Sequence, residues 1–169
     1  MDLKKTLPLG DVFFAKNIPM EATPLSWFKT EPREGRTMVF DPLRRRWVAL
    51  TPEEEVRQKT LYLLVEHLGV PAGRVAVEYS LKVNGQDKRA DAVVFGGAGE
   101  PLMVVECKAA TVALTDVVLD QAVRYHSVIQ PRYLLLTNGS TFYCYKAEGQ
   151  SLQPLDHLPA YTEMITTDI

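Results

Sequence analysis

Three side chains carry the chemistry that the sequence offers most plainly: Asp91, Glu106 and Lys108. In an extended strand side chains alternate, so Glu106 and Lys108 share one face and Cys107 takes the other. The run Leu102-Met103-Val104-Val105 just before them is apolar on both faces, which suits a central strand covered on both sides. A carboxylate and an ammonium at the end of such a strand are costly to bury unless paired or bound to metal. Asp91 lies near the start of the preceding strand, expected over residues 89–95. If the two strands are antiparallel neighbours, the start of one meets the end of the other. Asp91 and Glu106 then form a two-carboxylate oxygen site suited to Mg²⁺ or Mn²⁺. Lys108 would stand close by, orienting a water and offsetting developing negative charge. Phosphodiester hydrolysis asks for that set of groups. The plainer alternative is a Glu106–Lys108 salt bridge at a strand end, with Asp91 in a turn.

Two helices aim further polar groups inward. Thr51 is a good N-cap, Pro52 suits the first helical position and Glu54 completes a capping-box spacing. A helix is therefore expected from residue 51 to about 68, stopped by Gly69-Val70-Pro71. Leu61, Leu64, Val65 and Leu68 share its apolar stripe, and Glu54 projects onto it. Glu55 falls instead on the face of Lys59, Tyr62 and Glu66. A second helix, about residues 115–129 and ended by Pro131, carries Val118, Ala122, Tyr125, Val128 and Ile129 on one face. Gln121 projects onto that face beside Tyr125, while Asp120 and Arg124 point outward; an inward glutamine needs partners.

Between the helices, alternation predicts strands over residues 75–83 and 89–95 joined by the hairpin signal Asn84-Gly85, then 102–108 after a glycine-rich turn. Strands over 133–137 and 141–145 flank Asn138-Gly139. Three strands, a crossover helix and a further strand imply an α/β architecture, a central mixed sheet flanked by helices. The tail after Gly149 reads as loop with a short terminal piece. Prolines 8, 19, 24 and 32 make residues 1–40 an irregular N-terminal arm ahead of an α/β domain over 41–169, with short strands at 37–40 and 46–50.

In this order, Asp91, Glu106-Cys107-Lys108 and Gln121-Ala122-Val123-Arg124-Tyr125 resemble the PD-(D/E)XK nuclease signature with its Q-x-x-x-Y extension. The combination is similar to the N-terminal nuclease domain of type I restriction enzyme R subunits. So are Asp41-Pro42-Leu43 with Trp47-Val48, Thr51-Pro52-Glu53-Glu54, Val56-Arg57-Gln58, Leu81-Lys82-Val83-Asn84-Gly85, Lys88-Arg89-Ala90-Asp91 and Thr137-Asn138-Gly139. The likeness covers roughly residues 40 to 160. It implies a restriction-endonuclease-like fold cleaving DNA with Mg²⁺ (or Mn²⁺). Asp91 and Glu106 would be metal ligands, with the backbone carbonyl of Cys107 as a third. Lys108 would be the catalytic lysine, Glu54 the helix glutamate completing the acidic cluster, and Gln121 and Tyr125 would orient substrate or the site. Ala90 stands where the motif has proline, a small departure because the carboxylate does the work. R subunits also carry an ATP-driven motor, yet no G-x-x-x-x-G-K-[ST] occurs here. The expected protein is thus the nuclease domain without the translocase, acting on DNA, with separate motor or specificity subunits as partners and a homodimer as one route to cutting both strands. The alternative is a catalytically silent DNA-binding or accessory module of a restriction or repair complex.

Composition narrows the classes. The chain has 169 residues, 46 % apolar and 24 % charged, which fits one globular domain rather than a disordered chain. Two cysteines make no disulfide framework. The segment Met1-Asp2-Leu3-Lys4-Lys5 leads into no apolar signal core, and no apolar run approaches bilayer length, so a cytoplasmic, membrane-free protein is expected. A net charge of −2 gives no global pull on nucleic acid, so DNA binding needs a local basic strip or a metal. Arg44-Arg45-Arg46 could grip phosphates but reads first as a solvated charge run, His67, His126 and His157 lack metal-ligand spacing, and Cys107 reads as a small buried hydrophobe.

Overall fold

The structure is a computed structural model that describes residues 26–166. Two sheets organise the described chain. The smaller is an antiparallel meander of β1 (Thr30–Arg33), β2 (Arg36–Asp41) and β3 (Arg46–Ala49). The strands expected at 37–40 and 46–50 are thus present, and β1 joins them. From Thr30 onward the stretch read as irregular is regular sheet. Pro32 is tolerated there because β1 is an edge strand with one unpaired side. Residues 1–25 of the expected arm lie outside the described residues.

The larger sheet has six strands in sequence order: β4 (Val75–Val83), β5 (Gln86–Phe95), β6 (Pro101–Cys107), β7 (Tyr133–Thr137), β8 (Phe142–Glu148) and β9 (Ser151–Leu155). Every neighbouring pair is antiparallel except β6 and β7, which run parallel and are joined by helix α2 (Asp116–Ile129). The sheet is therefore mixed, as the strand–helix–strand order requires. Asn84 and Gly85, both at positive φ, close the β4–β5 hairpin.

Both faces of the central strands are covered. Met103, Val105, Cys107 and Leu135 pack towards helix α1 (Pro52–Tyr62) and the short terminal helix α3 (Tyr161–Ile165), with Val56, Leu61, Leu64 and Met164. Val104, Leu134 and Leu136 face α2 and meet Leu119, Ala122 and Tyr125. Leu134, Leu135 and Leu136 are fully enclosed, and each such side chain is worth about 1.5–3 kcal/mol of apolar burial. This double cover fixes β6 in place and so fixes the polar residues at its end.

Three local expectations are corrected. Helix α1 passes into a π-helical turn over Leu63–His67, which rotates the following residues; Leu63 and Leu64 are buried while Val65 and Leu68 are only half-buried. On α2 the buried residues are Leu119, Ala122 and Tyr125, and Val128 is 47 % exposed. At 100° per residue Val128 lies about 120° from Ala122, off the covered stripe. The tail is more regular than loop: Gly149 turns the chain at φ +61° into β9, an edge strand that accommodates Pro154.

Candidate active site

The antiparallel pairing of β5 with β6 aligns Ala92 with Val105, so the next residues outward, Asp91 and Glu106, come side by side as expected. Both are buried. Strand β5 is loosely held at this point: its pairing with β4 runs from Val77↔Ala92 to Tyr79↔Ala90 and skips Glu78, which sits at φ +52°. A non-glycine residue in that left-handed region costs about 1–2 kcal/mol. It is held there by ion pairs to Arg44 (2.9 Å), Arg46 (3.3 Å) and Arg89 (3.6 Å). Burial alone would raise the Glu78 carboxyl, and the guanidinium groups of Arg44, then Arg57 and Arg89, bring it below its usual range.

The released Asp91 side chain is clasped on two sides. Its Oδ2 accepts from the backbone N–H of Cys107 at 2.7 Å, and its Oδ1 accepts from Arg57 at 2.5 Å. Glu106 turns its Oε1 to the backbone N–H of Asp91 at 3.3 Å. Burial, and then the Asp91 charge, push the Glu106 carboxyl up to about 9. Arg57 compensates Asp91, whereas Glu106 has no ion pair of its own among the described residues and is favoured in its neutral form.

From α2, Gln121 closes the other side. Its Nε2 donates to Glu106 Oε2 at 3.4 Å and to the Tyr125 hydroxyl at 3.2 Å, and its Oε1 accepts from Lys108 Nζ at 3.4 Å. The inward glutamine thus finds its partners, and the one-turn spacing of Gln121 and Tyr125 is what lets them meet. Burial, ahead of the opposing Gln121 hydrogen bond, raises the Tyr125 hydroxyl above its usual value, and Glu106 adds to the rise. Cys107 points away into the apolar cluster, its thiol 3.8 Å from Thr60 Oγ1 and raised by burial, as a buried small hydrophobe would be. Asp91, Glu106, Lys108, Gln121 and Tyr125 accordingly form one connected group.

Glu54 reaches that group indirectly. Thr51 caps α1 by accepting from Glu54 N–H at 3.1 Å, and Glu54 is buried. Its carboxylate oxygens accept from Arg44, Arg57 and Gln58. Arg57 bridges Glu54 and Asp91, so the two acids are linked through a guanidinium. Arg44, from the β2–β3 turn, also pairs with buried Asp41 at 2.6 Å, which in turn accepts from Gln58 at 2.8 Å. Burial would lower the Arg57 guanidinium, but the Asp91 charge and hydrogen bond, with Glu54, raise it above its already high value.

Sequence reasoning missed Arg57, Arg44 and Gln58. The reading of residues 44–46 as solvated holds for Arg46, which is exposed, but not for Arg44, whose side chain is only 10 % exposed. A signal existed: an inward Glu54 requires a cation, and Arg57 lies one turn away. Among the described residues no three His, Cys, Asp or Glu side chains converge as a ligand set. A cation here would draw on the two carboxylates and a backbone carbonyl. No helix among the described residues is long and apolar enough to cross a membrane.

A family profile described as the type I restriction enzyme R protein N terminus matches residues 52–159. No curated protein matches the chain.

Proposed function

The chain belongs to the type I restriction enzyme R protein N-terminal family, within the PD-(D/E)XK nucleases, and from that premise we propose that it is a divalent-metal-dependent deoxyribonuclease domain. One observation carries the reading: Asp91 and Glu106 sit together where β5 parts from β6, with Lys108 tied to them through Gln121. The donor set fits a hard cation. Two carboxyl groups lie side by side, and burial, then the Asp91 charge, push the Glu106 carboxyl up to about 9, so a bound cation would offset both. Asp91, Glu106 and the Cys107 carbonyl would hold Mg²⁺ or Mn²⁺. When bound, such an ion supplies charge neutralisation at a phosphate oxygen and a water acidic enough to attack at neutral pH.

The protein groups divide the remaining work. Lys108 brings an ammonium to the phosphate, where it orients the attacking water and offsets charge developing on the equatorial oxygens. Gln121 fixes the Lys108 amine and the Glu106 carboxylate relative to each other, because it touches both. Arg57 and the Cys107 N–H set the rotamer of Asp91. Glu54 positions Arg57 rather than touching Asp91 itself.

A second reading has an observation of its own. Both Asp91 oxygens are already engaged, one of them by a cation, which is what a silent module retaining the fold for binding or subunit assembly would show. Cleavage of linear, nicked and single-stranded DNA with Mg²⁺ or Mn²⁺ separates the two. Wild-type cutting that is lost in Asp91→Ala and Lys108→Ala supports the nuclease. Equal behaviour of wild type and variants refutes it, and metal binding without cleavage of any DNA form favours the silent module.

A further inference from the structure

We propose that the cleft between the β4–β5 hairpin and α2 is the track along which the DNA backbone enters the site, with Lys88 and Arg124 as its phosphate contacts. The inference rests on the nuclease reading above and specifies how substrate is held. Pairing of β5 with β6 ends at Ala92↔Val105, whereas pairing of β5 with β4 continues from Tyr79↔Ala90 to Val83↔Gln86. The hairpin therefore runs on past the end of the β6 ladder as a two-stranded arm of four further residue steps, about 13 Å.

One face of this arm packs on α2: Val83 and Leu81 belong to the same apolar cluster as Val118, Leu119 and Ala122. Lys88 stands directly across from Leu81, and cross-strand partners share a face, so its side chain is carried towards α2. There it lines a cavity of about 280 Å³ with Val83, Val117, Gln121, Arg124 and Tyr125. Gln121 and Tyr125 thus belong both to this cleft and to the group around Glu106. Phosphates held at the cleft are continuous with the position next to Lys108.

Charge favours the same occupant. Lys82 is paired with Asp87 at 2.8 Å and Arg89 with Glu78 at 3.6 Å. Lys88 makes no hydrogen bond or ion pair among the described residues, and it also lines a second cavity on the arm, of about 880 Å³, with Ser80, Leu81, Lys82, Asp87 and Arg89. In a chain of net charge −2, Lys88 with Arg124 across the cleft supplies the local positive charge that binding a polyanion requires. Lys and Arg contacts to phosphate position a strand without reading its sequence. Val117, 73 % exposed at the mouth, offers an apolar surface to sugars rather than another charge.

The test is fluorescence anisotropy with a labelled duplex and its single strand, without divalent metal, across about 50–250 mM salt, for wild type, Lys88→Ala, Arg124→Ala and Lys59→Ala. Lys88→Ala and Arg124→Ala should each weaken binding several-fold and flatten the log K against log[salt] slope by about 1. Lys59→Ala, on the outer face of α1 and paired with Glu55, should leave the slope unchanged. All three positions are outside the core, so unchanged circular-dichroism melts check that folding is intact. If wild type binds and cuts DNA but the two cleft variants keep its slope, the track is refuted and the nuclease reading stands. If wild type neither binds nor cuts any DNA form, the nuclease reading itself falls.

Discussion

Glu106→Gln keeps the shape of a side chain at the centre of the site and deletes its proton equilibrium. Burial and the adjacent Asp91 charge move Glu106 from an ordinary value of 4.5 up to about 9. The folded protein therefore holds that proton over a range in which the unfolded chain has released it. Because the folded value is the higher one, the stabilisation is complete below about pH 4.5 and is lost as pH rises towards 9. At pH 7 the loss is about 1.4 kcal/mol for each pH unit above 4.5, roughly 3 kcal/mol in all. Glutamine is uncharged in both states, so the metal-free variant should be more stable than wild type by about that amount at pH 7, and by under about 1 kcal/mol at pH 5. The hydrogen bonds at risk are long, 3.3 Å and 3.4 Å, and cost little. Urea titration in EDTA measures this directly. With slopes of about 1–3 kcal/mol per molar, the midpoint should rise by about 1–3 M at pH 7. A midpoint that falls, or a difference equal at both pH values, refutes the reasoning.

Three further outcomes follow from the same geometry. Arg57→Met leaves Asp91 and Glu54 buried without their shared guanidinium and should cost about 3–5 kcal/mol, read as a lower urea midpoint. Leu135→Ala opens a cavity in the doubly covered β7 and should cost about 2–5 kcal/mol in the same assay. His157 is raised by its hydrogen bonds to Asp156 and then Glu163. Its stabilisation is present below 6.5 and fades as pH climbs through the folded value, so His157→Ala should remove a small downward step in Tm near neutral pH.

Much of this site is legible in the sequence because its logic is local. Period-two alternation puts Glu106 and Lys108 on one face, the two central strands leave Asp91 opposite Glu106, and a four-residue spacing joins Gln121 to Tyr125. Thr51-Pro52 and Asn84-Gly85 announce their own cap and turn. The ion network is not local. Arg44 comes from a turn of the smaller sheet and reaches Glu54 and Glu78, ten and 34 residues away, and nothing in a run of three arginines marks the first as buried. The π-helical turn at Leu63–His67 likewise has no signal in the hydrophobic pattern, and it moves residues off a stripe that regular periodicity assigns them.

The central claim is that Asp91 and Glu106 share one divalent ion. Anomalous diffraction from crystals soaked in Mn²⁺ tests it most directly. The account expects a peak between the two side chains, with an oxygen of each at about 2.1–2.2 Å and Arg57 displaced from or sharing Asp91. Density without such a peak, in which Arg57 still spans Asp91 and Glu106 still bonds the Asp91 N–H, would contradict it.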